Sequence, residues 1–162
     1  MRILGLDPGS RVTGIGVIDG ETLVAARQLA LGGGGMPERL AAIFAGVGEA
    51  IAEFAPEVVA IETVFMNRNA QAAIKLGQAR GAAICAAVNA GLAVHEYAPR
   101  LIKQAIVGRG GADKAQVQHM VRALLNADHD FGSDAADALA VALCHLHTAQ
   151  TAARLPTGVV LR

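Results

Sequence analysis

The sequence predicts a single α/β domain in which helices flank a mixed sheet. Short apolar runs typical of strands come first, and they then alternate with longer stretches whose apolar residues recur at helical spacing. At 162 residues the chain can form one domain with a substantial core, but it has no room for a second. Side chains are 53% hydrophobic and only 3% aromatic, so Ala, Val, Ile and Leu must build that core.

Three strands are expected at the start of the chain. Residues 2–6 are apolar, residues 12–18 alternate glycine with Val and Ile, and residues 22–31 form a third apolar run. A Pro-Gly-Ser turn and an Asp-Gly turn connect these runs. Such short connections predict an antiparallel meander.

Helices and strands alternate in the rest of the chain. A four-glycine linker precedes the first helical pattern, and Pro56 ends it. We expect helices over residues 37–54, 71–90, 99–107, 114–125 and 134–147, with strands over residues 58–61 and 92–97. Residues 1–150 should therefore form the domain, and residues 151–162, which contain no motif, should be a flexible C-terminal tail.

The cysteines and the N-terminus predict a cytoplasmic protein. Cys85 and Cys144 each lie in an apolar stretch, so we expect two buried thiols rather than a disulfide or a pair of metal ligands. Asp7 interrupts the apolar N-terminus, and no charge-free span of about 20 residues follows. We expect no membrane association.

Charge is distributed unevenly although the formal net charge is zero. Residues 1–62 contain four basic and eight acidic side chains, whereas residues 63–122 contain eight basic and two acidic ones. The remaining residues carry two basic and four acidic side chains. A basic middle segment is compatible with a solvated surface, but it also indicates a polyanionic partner such as nucleic acid.

Four carboxylates stand at positions where a site could form. Asp7 and Glu62 each end an apolar run, ILGLD and VVAIE, so neighbouring strands would bring them to one edge of the sheet. Asp134 and Asp137 are three residues apart and lie about 60° apart on a helix. Helix capping and first-turn acidity would also explain this last pair.

Convergence of these carboxylates would require cations. Carboxylate oxygens without histidine or thiolate ligands favour Mg²⁺ or Mn²⁺. Two such ions, roughly 3.5 to 4 Å apart, can catalyse phosphodiester hydrolysis. The basic segment would then hold the phosphate backbone above an acidic centre that otherwise repels it.

Four motifs, in this order, resemble the RuvC-type Holliday junction resolvases. They are GLDPGSRVTGIGVI, AIETVFMNRNAQAAIKLGQARGAA, IVGRGGADKAQVQHMV and SDAADALAVALCHLH, and they cover nearly the whole chain. The resemblance implies an RNase H-like fold with a five-stranded mixed sheet. It also implies that Asp7, Glu62, Asp134 and Asp137 are catalytic and bind two Mg²⁺ ions per active site, with Mn²⁺ as a substitute.

The resemblance also implies DNA-binding residues in the basic segment. Lys103 and Lys114 match positions that the family places against DNA, and Phe65 matches an aromatic side chain that stacks on unpaired bases. Solvated lysines and a local apolar contact are the alternatives for these positions. Further phosphate contacts are expected around the loop that contains Phe65, at Arg68, Asn69, Gln78 and Arg80.

The activity implied by the resemblance is resolution of four-way junction DNA in recombination and repair. A homodimer would make paired symmetric nicks with 5′-phosphate and 3′-hydroxyl ends, in cooperation with the RuvAB branch-migration complex. Two alternatives exist. GLDPGS also resembles the first phosphate loop of actin-like and sugar-kinase ATPases, although those need two such lobes, and a junction-binding protein without catalysis would not need all four carboxylates.

Overall fold

A computed structural model describes residues 1–64 and 69–154, and these contain five strands and five helices. The strands are β1 (Arg2–Pro8), β2 (Val12–Asp19), β3 (Thr22–Ala30), β4 (Val58–Glu62) and β5 (Ala93–Tyr97). The helices are α1 (Met36–Phe54), α2 (Ala70–Asn89), α3 (Pro99–Val107), α4 (Lys114–Leu124) and α5 (Ser133–Arg154). The expected number, type and order of elements are confirmed.

The five strands form one mixed sheet in the order β3-β2-β1-β4-β5. β1, β2 and β3 are the expected antiparallel meander, and β4 and β5 add in parallel on the other side of β1. β1 and β4 are therefore adjacent, as the site hypothesis requires. Leu6 pairs with Ile61, so Asp7 and Glu62 each follow the last pair of this parallel ladder.

Two hydrophobic layers cover the two faces of the sheet. One layer packs α1 and α2 against Leu4 and Leu6 of β1, and the other packs α3, α4 and α5 against the opposite face, where Ile3 lies. Successive side chains of a strand point to opposite faces. Asp7 therefore shares the α5 face with Ile3, and the same alternation along β4 places Glu62 on that face.

Glycines in β1 and β2 let α5 lie directly on the sheet. A Cβ atom at Gly5 would overlap the backbone oxygen of Ala138, and one at Gly14 would overlap the backbone oxygen of Asp134. A Cβ atom at Gly16 would come within 2.7 Å of the amide nitrogen of Leu139. The absence of side chains at these positions brings the start of α5 to the strand end that carries Asp7, because Asp7 pairs with Gly14.

Two sequence expectations need correction. α5 continues to Arg154, because its alanine-rich end favours helix. Within this added length the hydroxyls of Thr148 and Thr151 donate to carbonyls one turn earlier, at 2.8 and 2.7 Å. Residues 155–162 of the expected tail lie outside the described residues, so the end of the domain stays a prediction. Cys144 is buried, but Cys85 is exposed because it lies on the outer side of α2.

Within residues 1–64 and 69–154, no helix combines the length and the apolar character needed to cross a membrane.

Substitution of Gly5, which lies buried under α5, should destabilise the protein. Gly5→Ala adds a methyl group where the backbone of α5 already lies, so we expect the free energy of unfolding to fall by about 3 kcal/mol. Gly48→Ala in α1 is the matched control, because its new Cβ meets no atom within 4 Å and alanine favours helix. Urea denaturation of both variants measures the difference, and equal effects would contradict the close packing of α5.

Candidate active site

Asp7, Glu62, Asp134 and Asp137 converge at one edge of the sheet. Asp7 and Glu62 lie at the ends of the adjacent strands β1 and β4, while Asp134 and Asp137 lie in the first two turns of α5. The negative charges of the other three carboxylates all act on Asp7. The expected convergence is thus present, and Gly14 permits it by admitting the backbone of Asp134.

Burial and mutual repulsion raise the pKa values of the two strand carboxylates. The pKa of Asp7 rises from 3.8 to about 7, first because the group is buried and then because Asp137, Glu62 and Asp134 repel its negative charge. Burial and the charge of Asp137 also raise the pKa of Glu62. Negative charge is therefore costly here unless a cation compensates it.

Two lysines supply part of that compensation. Nζ of Lys114 donates a hydrogen bond to Oδ2 of Asp137 at 2.6 Å, and Lys103 and Lys114 both lower the pKa of Glu62. Although partial burial lowers the pKa of Lys114, its hydrogen bond with Asp137 and the nearby carboxylates raise it overall. Both lysines line a cavity of about 190 Å³, together with Glu62, Asp137 and apolar side chains of α3, α4 and α5.

Gln28 contacts the site and was missed in the sequence. Its Nε2 donates to Oδ2 of Asp134 at 3.0 Å, and its amide packs over Gly132, whose φ is +77°. This bond can orient the carboxylate without adding charge, as hydrogen bonds to metal ligands commonly do. No motif marks Gln28, because its partner is 106 residues away in the chain.

The other expected DNA contacts have different environments. Arg80 does not present its guanidinium freely to DNA, because Nε donates to the Glu62 carbonyl at 2.9 Å and Nη2 forms an ion pair with Glu96. Asn69 caps α2 by accepting a hydrogen bond from the amide of Ala72 at 3.1 Å. Gln78 is exposed on α2. Phe65 and Arg68 lie outside the described residues.

The chemistry of the donor set fits hard divalent cations. All four acidic groups offer carboxylate oxygens, and the pKa of Asp7 is raised first by burial and then by neighbouring negative charge, which a cation would neutralise. In the described parts of the chain, no three His, Cys, Asp or Glu side chains are close enough to surround one ion. Asp134 and Asp137 instead accept hydrogen bonds from Gln28 and Lys114. Cation binding would therefore require these carboxylates to reorient.

The chain is similar to known proteins over nearly its whole length. Residues 3–145 match the family model described as crossover junction endodeoxyribonuclease RuvC. The chain is 56% identical to the crossover junction endodeoxyribonuclease RuvC of Methylococcus capsulatus over 157 residues, which are 95% of each protein. It is also 56% identical over 160 residues to the protein of that name from Geobacter sp. strain M21, covering 96% of this chain and 98% of the relative.

Two solved structures from Thermus thermophilus have the same fold. The first, of RuvC alone, has a TM-score of 0.86 and 37% sequence identity, covering 94% of this chain and 97% of the other. The second, of RuvC in complex with a Holliday junction substrate, has a TM-score of 0.87 and 36% sequence identity, covering 94% of this chain and 96% of the other. These similarities confirm the expected RNase H-like fold class.

Substitution of Asp7 should make stability less dependent on pH. The folded protein binds the Asp7 proton more tightly than the unfolded chain does, since the pKa rises from 3.8 to about 7. The free energy of unfolding therefore falls as pH rises through this interval, by about 1.4 kcal/mol per unit of pKa shift. In EDTA, we expect Asp7→Asn to stabilise the protein at pH 8 by roughly 2 kcal/mol more than at pH 5.

Urea denaturation at the two pH values measures this difference. Asp128→Asn is the matched control, because Asp128 is an exposed carboxylate outside the cluster. A stability gain for Asp7→Asn of the same size at both pH values would show that burial and repulsion do not raise the pKa of Asp7.

Proposed function

Because the chain belongs to the RuvC family of crossover junction endodeoxyribonucleases, we propose that it resolves Holliday junctions by endonucleolytic cleavage. It would act in DNA recombination and repair, and in the cytoplasm. The observation that carries this function is the convergence of four carboxylates at one sheet edge, where the pKa of Asp7 rises to about 7. A cluster of carboxylates beside lysines is suited to metal-dependent cleavage of a phosphodiester.

Asp7, Glu62, Asp134 and Asp137 would hold the metal, and we propose Mg²⁺, two ions per active site, with Mn²⁺ as a substitute. When bound, such ions activate water and stabilise the charge of the leaving oxygen. Asp7 and Glu62 would hold the metal as carboxylates, and burial raises the pKa of both groups, so a bound cation would favour their deprotonated forms. In-line attack at phosphorus would leave 5′-phosphate and 3′-hydroxyl ends.

Lys103 and Lys114 would hold the substrate over the acidic centre. Both lysines lie at the cavity that contains Glu62 and Asp137, so a phosphate placed near those acids comes within their reach. Lys114 also neutralises Asp137 before substrate arrives. Their role is electrostatic, since lysine ammonium groups contact phosphate without selecting a base.

The loop between β4 and α2 would contact the unpaired bases at the crossover. This part of the proposal rests on the family resemblance for Phe65, whose ring would stack on a base, and for Arg68 beside it. Asn69 directly precedes α2, Gln78 lies within that helix, and both are exposed. Arg80 is assigned a different role, because its bonds to the Glu62 carbonyl and to Glu96 support the end of β4.

A homodimer would match the approximate two-fold symmetry of a four-way junction. The outer face of α2 is suited to self-association. Ile74 and Val88 are 62% and 60% exposed there, and no atom of the described residues lies within 4 Å of the Cβ position of Gly77 or Gly81. Each subunit would cut one of two opposed strands. The RuvAB branch-migration complex, a partner implied by the family, would deliver the junction.

Junction cleavage tests the activity directly. We expect purified protein with Mg²⁺ to nick a labelled four-way junction in opposed strands and to leave a matched linear duplex intact, whereas EDTA should abolish cleavage. Asp7→Asn should abolish nicking and retain junction binding in a gel-shift assay. Asp128→Asn, which removes an exposed carboxylate elsewhere, should cleave normally. Equal cutting of junction and duplex would contradict structure selectivity, and Mg²⁺-dependent nicking by Asp7→Asn would contradict the catalytic assignment.

Substitution on α2 should dissociate the homodimer. Ile74→Glu places a charge on the exposed apolar face of α2, so burial against a second copy would become unfavourable. Sedimentation equilibrium should show a dimer for the wild type and a monomer for this variant. Val24→Glu changes another exposed apolar side chain, on β3, and should leave the dimer intact. A dimeric Ile74→Glu variant would place the interface elsewhere.

A further inference from the structure

A second basic region lies beside the active site, in a groove between the β1–β2 turn and the helices α1 and α2. We call it the α1–α2 groove. Its volume is about 370 Å³, and its lining contains three cationic side chains but no carboxylate of the described residues. The lining residues are Ser10, Arg11, Arg39, Asn69, Lys75 and neighbours on α2.

The groove opens at the same edge of the sheet as the carboxylates but on the other face. Ser10 and Arg11 directly follow β1, the strand that carries Asp7, and Asn69 precedes α2. α1 and α2 pack on the face opposite to the one covered by α3, α4 and α5. Lys103 and Lys114 thus flank the acidic centre on one side, and the α1–α2 groove flanks it on the other.

The three cations of the groove are among the basic residues of the described chain that form no ion pair with a carboxylate. Arg2, Arg27, Arg80 and Lys114 each pair with a carboxylate. In the described parts of the chain, Arg11, Arg39 and Lys75 form no such pair. Arg39 also shapes the groove, because its Nη1 donates to the carbonyl of Ser10 at 3.2 Å and so fixes the turn after β1. Three neighbouring positive charges without partners repel one another and favour an anion.

We propose that the α1–α2 groove binds backbone phosphates of the DNA substrate, on the side of the acidic centre opposite Lys103 and Lys114. Arginine matches phosphate oxygens with paired donors, lysine adds a point charge, and the amide and hydroxyl groups of the lining add further donors. The DNA backbone then crosses the carboxylates between two basic regions, which offset the repulsion at the centre. Contact is with phosphate, so it is independent of base sequence.

The assignment rests on the proposed junction cleavage, and a salt titration of junction binding tests it. Binding of the labelled four-way junction is measured in EDTA, which prevents cleavage, over a series of salt concentrations. The slope of log affinity against log salt should decrease in magnitude by about 1 for each lost phosphate contact, hence by about 2 for Arg11→Ala/Lys75→Ala. The affinity loss should be the same for junctions of different sequence.

Arg154→Ala is the matched control. Arg154 is an exposed cation at the far end of α5, about 30 Å along the helix from Asp134, and its loss should leave the slope unchanged. A wild-type slope in the double variant, with junction cleavage intact in the wild type, overturns the groove assignment alone. Failure of the wild type to bind or cut the junction overturns the proposed function and this assignment together.

Discussion

The close packing of α5 on β1 and β2 is the constraint on which the candidate active site depends. Gly5, Gly14 and Gly16 present bare backbone to the helix, and any side chain at these positions would displace it. Interiors are packed densely enough that such a displacement cannot be absorbed locally. Since two of the four carboxylates belong to the first turns of α5, the same contact that buries the apolar helix also sets the spacing of the acidic centre.

Close packing brings four carboxylates together, so their negative charges repel one another and need compensation. Burial and three neighbouring carboxylates hold the pKa of Asp7 near neutrality, while Lys114 offsets part of the charge at Asp137. The apolar contacts of α5 stabilise the fold, whereas the repulsion between Asp7 and the carboxylates of α5 opposes it. Strongly perturbed carboxylates of this kind are typical of functional sites, and in the proposed function their unfavourable charge is used to bind the cations that phosphodiester cleavage needs.

The distribution of positive charge follows from the negative charge of the four carboxylates. An acidic centre repels the phosphate that it must approach, so basic side chains have to lie around it rather than within it. Lys103 and Lys114 do so from α3 and α4, and the three unpaired cations of the α1–α2 groove lie across the sheet edge from them. Other basic residues, such as Arg80, pair with carboxylates of the protein itself and support the fold instead.

The sequence by itself was enough to predict the helices and strands, their order, and the four carboxylates that converge. Hydrophobic periodicity and turn residues are local, and the alternation of side chains in β1 and β4 follows from the strand geometry of each segment. The carboxylates also stand at recognisable places, at two strand ends and a helix start. The length of α5 was underestimated because alanine and threonine after His147 carry no apolar pattern, although they continue the helix.

Only the tertiary structure decided which polar side chains meet. Gln28 reaches Asp134 across 106 residues of sequence, and Arg80 is held by the carbonyl of Glu62 and by Glu96, so that it differs from a free DNA contact. The three cations of the α1–α2 groove come from a turn and two helices that are separate in the chain. Local patterns specify what a segment forms, but the partner of a side chain depends on how the segments pack, and that information is spread over the whole chain.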